Sequence, residues 1–194
     1  KMLDHYLPES SSLIMHSSDS WLRFIKHRKS NKNLDGTYLP RTLTAHLKED
    51  TPYFEINKFH EYYGHGGFCE HSQIGDRIVQ YELELKEIEK QIIGSDKFQD
   101  NSSFKLSKNH QQFNQYVTLR KEFDNYFNQH HNYYEGYAYW LEKYFSLESG
   151  LGELYQIRER TFIEPFYLQL VASFNDFVKK NSINALLDKM GFLV

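Results

Sequence analysis

With one cysteine, Cys69, in 194 residues, the chain has no partner for an intrachain disulfide and no material for a cysteine-rich zinc cluster. Any metal it holds must therefore rest on histidine and carboxylate ligands, and a reduced, cytoplasmic setting is the expectation. Long apolar runs are missing too. The nearest approach, Phe166 to Phe174, is broken by Gln169 and Ser173 and falls far short of the roughly 20 apolar residues of a membrane span. Charge of one sign is also scarce in excess: 23 basic residues face 26 acidic ones, a net −3 without long blocks, so neither nucleic acid nor an anionic membrane has an electrostatic footprint to bind. Lys1 opens the chain without an initiator Met and without the order of a signal peptide. Residues 1–194 read as a single catalytic domain, the C-terminal part of a longer protein.

What the sequence does have is aromatic side chains at helical spacing. Ile78, Tyr81, Leu85, Ile88 and Ile92 predict an amphipathic helix over 74–93, with Glu82, Glu84, Glu87 and Lys90 elsewhere on its surface. Phe113, Tyr116, Leu119, Phe123 and Tyr126 outline a second, and Tyr133 to Phe145 a third that is buried on more than one face, the two separated by 129–132. Pro165 starts or kinks a helix running toward Lys180, and Ile183 to Met190 makes a last short one. Ahead of these, residues 1–16 look irregular, with Pro8, and Ser20 caps a short helix through Trp21 and Ile25. A polar loop follows over 30–36. Thr37 to Leu47 has the β-branched and aromatic bias of a strand, at an edge because of Pro40. The fold class expected is mainly α, with a short edge strand or small sheet.

The most informative segment is His60-Glu61-Tyr62-Tyr63-Gly64-His65, on a helix that Asp50-Thr51-Pro52 starts. Two imidazoles and a carboxylate within six residues point to a metal. Histidines four apart share one helical face, but five apart they are rotated by about 140° on an ideal helix. A π-type widening of one turn, or unwinding at Gly64, is needed to bring both to one ion. Glu61 directly follows the first histidine, the position from which a carboxylate deprotonates metal-activated water without being a ligand.

A hydrolytic zinc site needs a third protein ligand and an open position. Glu135 is the choice, because it lies in the mostly apolar Tyr133 to Glu142 stretch, where an acid is costly unless paired or metal-bound. Gly136 and Ala138 permit close approach to a neighbouring helix. His130 and His131 compete as ligands. Tyr137 and Tyr139 are candidates to stabilise an oxyanion, with packing the commoner role for such tyrosines. Arg158-Glu159-Arg160 reads as a solvated helix face rather than a substrate clamp. His71 and Cys69 follow the motif as supporting or merely buried groups.

His60-Glu61-x-x-x-His65 with Glu135-Gly136-Tyr137-Ala138 resembles the HExxxH metallopeptidases that include the eukaryotic tubulin tyrosine carboxypeptidases, in which an EGxA-type helix supplies a glutamate ligand. The stretch Glu135 to Glu142 is also similar to the EGWALYAE motif of helical bacterial proteins that carry HExxPGHH, although 60–65 lacks that family's proline position. These resemblances imply a zincin-like helical metallohydrolase, with Zn2+ held by His60, His65 and Glu135 and with Glu61 as general base. The expected activity is cleavage of a peptide or protein substrate, held as an extended strand if the edge near residues 37–47 lies beside the site. Two other readings stay open: a non-catalytic helical domain that binds metal or a partner, and a metal hydrolase acting on another electrophile.

Overall fold

In the computed structural model, residues 10–28, 35–95 and 102–192 are described. Pro8 and residues 30–34 of the expected polar loop lie outside them, as does 96–101 of the connection between the long helices. The chain is mainly helical, with one small sheet. Its elements are β1 (Ser12–His16), α1 (Ser18–Arg28), β2 (Gly36–Leu39), β3 (Thr44–Lys48), α2 (Phe54–Lys58), a π-helical segment (Phe59–Gly66) and α3 (Gly67–His71). There follow α4 (Gln73–Ser95), α5 (Ser102–Glu148), α6 (Gly152–Phe162), α7 (Pro165–Lys180) and α8 (Ile183–Lys189).

The apolar stripe of α4 behaves as its spacing demands: Ile78, Tyr81, Leu85 and Ile88 are buried. They meet α5, which runs the opposite way, as the pairs Tyr81 with Phe123, Glu89 with Tyr116 and Gln91 with Gln112 show. The two helices expected on either side of 129–132 are one continuous helix of 47 residues. The polar Gln129 to Asn132 stretch contains neither glycine nor proline, so nothing in the backbone ends the helix there. Its C-terminal half is covered by α7 and α8, where Tyr137, Trp140, Leu141, Val171, Phe174, Leu186 and Leu187 share a core. Pro165 occupies the first turn of α7, where a missing N–H costs nothing.

The strand expected over 37–47 is instead two strands joined by a 3-10 turn at Pro40–Thr42. Proline fixes the turn's first residue, and Leu43 closes it in the left-handed region at φ 50°. β2 pairs antiparallel with β3, and β1, from the stretch expected to be irregular, adds to the other side of β3 in parallel. The short Ser12 to His16 run carries little strand signal beside the two serines that precede it. With the order β1-β3-β2, β3 is central and β2 is an edge. Arg41 ties the turn to α4 through ion pairs with Glu82 and Glu89.

α5 and the π segment touch where both are thin. A Cβ on Gly64 would stand 2.7 Å from Ala138 Cα and 2.8 Å from Ala138 Cβ, while one on Gly136 would meet the Phe174 ring of α7 at 2.9 Å. The two small residues of the Glu135-Gly136-Tyr137-Ala138 stretch thus seat α5 between its neighbours. Gly64→Ala is expected to lower stability by about 1–3 kcal/mol in chemical denaturation. The overpacking against backbone outweighs the gain of up to about 1 kcal/mol that alanine brings to an unobstructed helix.

Candidate metal centre

The segment carrying the histidines is π-helical from Phe59 to Gly66, the distortion that their spacing calls for. Hydrogen bonding to the fifth residue widens the turn, so His60 and His65 stack along the helix instead of diverging. Their ring centroids are 4.6 Å apart with the planes nearly perpendicular. The close approach at Gly64 and Ala138 brings Glu135 over them from α5. One ligand atom each from His60, His65 and Glu135 lies within 4.8 Å of the others, and His65 Nε2 is 3.8 Å from Glu135 Oε2. Ligands on one zinc at about 2.1 Å stand about 3.4 Å apart, so side-chain shifts of about an ångström complete a coordination shell. Two borderline nitrogen donors and a carboxylate are a zinc donor set, and they leave a fourth position free.

Burial sets the protonation states. Both histidines are buried, at 7% and 5% exposure. Desolvation, with His60 and His131 nearby, holds His65 well below the usual imidazole pKa, which keeps it in the neutral, metal-binding form. Desolvation also acts against the His60 imidazolium, but Glu142 outweighs it, aided by Glu61 and Glu135, and the net shift is upward. Glu135 is raised by burial, against the opposing charges of His60 and His131. A cation here would relieve the desolvation of this acid.

The group that sequence reasoning missed is Glu142. Its carboxylate is fully buried, with Oε2 2.9 Å from His60 Nδ1, although the N–H is not aligned on it. It also accepts from Arg158, at 2.7 Å from Nε and 3.4 Å from the second guanidinium nitrogen. Burial raises its pKa, but the close His60 imidazole and the Arg158 guanidinium prevail, and the carboxyl stays ionised. An outer carboxylate on a ligating histidine fixes the ring and raises its basicity. The signal was available: Glu142 stands seven residues, two helical turns, after Glu135 on the same apolar helix. Arg158 is correspondingly not on a solvated face. Its side chain is 17% exposed, and its guanidinium holds Glu142.

Glu61 lies in a cavity of about 310 Å³ lined also by Gly36, Tyr53, Asn57, His60, Tyr139 and Arg158. Burial pushes its pKa up to about 7. Glu135 adds to this, while His60, a hydrogen bond from the Tyr38 backbone amide and Arg158 oppose it. β2 passes directly beside it: a Cβ on Gly36 would be 2.9 Å from Glu61 Cγ.

Other residues singled out by sequence separate cleanly. Tyr139 lines the cavity, with its ring 4.4 Å from that of His60 and stacked on Tyr167 at 4.6 Å. Tyr137 is fully buried in the core. His130 bonds the Tyr126 carbonyl at 2.8 Å, whereas His131 approaches the other oxygen of Glu135, Oε1, at 3.9 Å. Cys69 is buried and its thiol is pushed well up by desolvation, which leaves it inert, and His71 is exposed. The chain matches no protein-family model, no curated protein and no solved structure. Among the described residues no helix is long and apolar enough to cross a membrane. The site itself carries the functional argument.

Proposed function

We propose that the chain is a zinc-dependent hydrolase of zincin-like type, most consistent with a metallopeptidase. The observation that carries this reading is the convergence of His60, His65 and Glu135 through a π-helical turn, with a further carboxylate, Glu61, directly after the first histidine. The resemblance to HExxxH metallopeptidases with an EGxA helix supports it. Zinc, when bound, supplies Lewis acidity that makes water a nucleophile at neutral pH. His60 is held for this by Glu142, and Glu142 by Arg158.

Glu61 takes the proton from the attacking water and passes it to the leaving amine. A carboxyl poised at about 7 without a cation accepts a proton at neutral pH, and a neighbouring cation draws its pKa down. The Tyr139 phenol, which burial keeps protonated, is the donor at hand for a developing oxyanion. A peptide is favoured over other electrophiles by β2, an edge strand beside Glu61: the Tyr38 amide is taken by Glu61, and the edge groups it leaves open are what an extended chain would pair with. Edge pairing recognises backbone, which esters and small amides lack.

Protein purified without added metal should contain about one zinc per chain, and His60→Ala, His65→Ala and Glu135→Ala should each lose it. Elemental analysis decides this. A folded, unaltered chain without metal, unable to take up zinc on titration, overturns the proposal. A panel of peptides and matched esters then separates peptidase from other hydrolase activity.

A further inference from the structure

Asn57 stands on α2 one helical turn ahead of His60 and Glu61 and lines the same cavity. The residue is only 4% exposed, yet its side-chain Nδ2 has no hydrogen-bond partner in the protein. A buried donor left unmet is costly, and folded proteins keep few of them. The other buried polar side-chain atoms without partners, outside the two histidines, belong to Gln112, Tyr137, Ser146 and Tyr155, and none of those residues lines this cavity. Asn57 is therefore the one such donor facing the site among the described residues, apart from His60.

No neighbouring group serves it. Glu61 is held by the Tyr38 amide, and Asp35 accepts from Thr51 Oγ1 at 3.1 Å with Lys48 beside it at 3.7 Å. The Arg158 guanidinium is itself a donor, turned to Glu142. Pro52, Tyr53, Tyr139 and Phe162 complete the cavity beside these polar groups. A neutral N–H donor in this cavity, one helical turn from Glu61, suits a neutral oxygen acceptor such as an amide carbonyl.

We propose that Asn57 is a substrate-binding residue, its Nδ2 donating to a backbone carbonyl oxygen of a bound peptide. The inference rests on the metallopeptidase reading and adds to it a specific requirement for amide backbone beyond the reacting bond. Loss of the donor leaves no protein hydrogen bond broken, which separates this role from a structural one: Asn57→Leu, similar in shape, should keep or raise the melting temperature while weakening substrate.

The test measures binding to the zinc-loaded protein with two probes, acetohydroxamate, which reaches only the metal, and an N-acyl dipeptide hydroxamate, which extends along the cavity. The unaltered chain should bind the peptidyl probe more tightly. Asn57→Leu and Asn57→Ala should lose about tenfold in affinity for it, with zinc content and acetohydroxamate affinity unchanged. Undiminished binding of the peptidyl probe in both variants overturns the proposal, as does an equal loss for both probes or a lowered melting temperature in Asn57→Leu. If the unaltered chain binds the peptidyl probe no better than acetohydroxamate, the peptidase reading falls and this inference with it. A preserved preference that ignores Asn57 removes this inference alone.

Discussion

Glu61→Gln is expected to retain zinc and to lose hydrolysis by a factor of about 10²–10⁴ in kcat, the contribution of a positioned general base. Glutamine preserves the shape and still accepts the Tyr38 amide hydrogen bond, so the histidines and β2 keep their places. It cannot accept a proton. Stability should not fall, because the change removes an acid whose pKa burial has already pushed up to about 7. Such a shift marks a charged form that the fold disfavours. The checks are metal content, a denaturant melt and turnover on peptide substrates identified with the unaltered chain. Full activity in the variant would remove Glu61 from the mechanism even with zinc in place. A variant that loses metal would show instead that Glu61 is a ligand or supports one.

How much of this could be read from residues alone depended on range. His60 and His65 are five apart, and for both to reach one ion that spacing called for a π-type turn or an unwinding at Gly64; Phe59–Gly66 is π-helical. Glu135 was legible because an acid in an apolar helix needs a reason, and Gly136 and Ala138 because small residues signal close packing. The stripe on α4 was legible from its period. These are local patterns.

Features set by pairing across the fold were not. β1 gains its conformation from β3, 32 residues later, and its own sequence is too short and serine-flanked to announce a strand. The single strand expected over 37–47 splits because Pro40 ends one run and opens a turn instead of sitting quietly at an edge. Polar residues at 129–132 look like a break, but on a long helix they only face outward or meet the site, as His131 does beside Glu135. Arg158 looked solvated because its partner lies 16 residues back, on another helix. Asn57 carried no sequence signal, since a lone asparagine is distinguished only by its burial without a partner.

The Glu142–Arg158 pair gives the other large effect, and it can be divided into structural and functional parts. Glu142→Ala should destabilise the fold by about 3 kcal/mol, the low end for breaking a buried ion pair, since Arg158 keeps some contact with water. It should also weaken zinc by about 10–100-fold, because His60 loses the carboxylate that orients its ring. One variant cannot separate these, as a loosened helix would weaken zinc as well. Replacing both partners, Glu142→Leu with Arg158→Met, leaves no uncompensated charge and should recover most of the stability, because apolar groups often replace buried ion pairs without loss. Zinc affinity should not recover, since His60 Nδ1 still faces no acceptor. Competition with a chelator measures the second quantity and a denaturant melt the first. If the double variant regains zinc affinity together with stability, Glu142 serves only to pair Arg158. If stability returns and affinity does not, the carboxylate acts on the metal through His60, and the site extends from the histidines across α5 to α6.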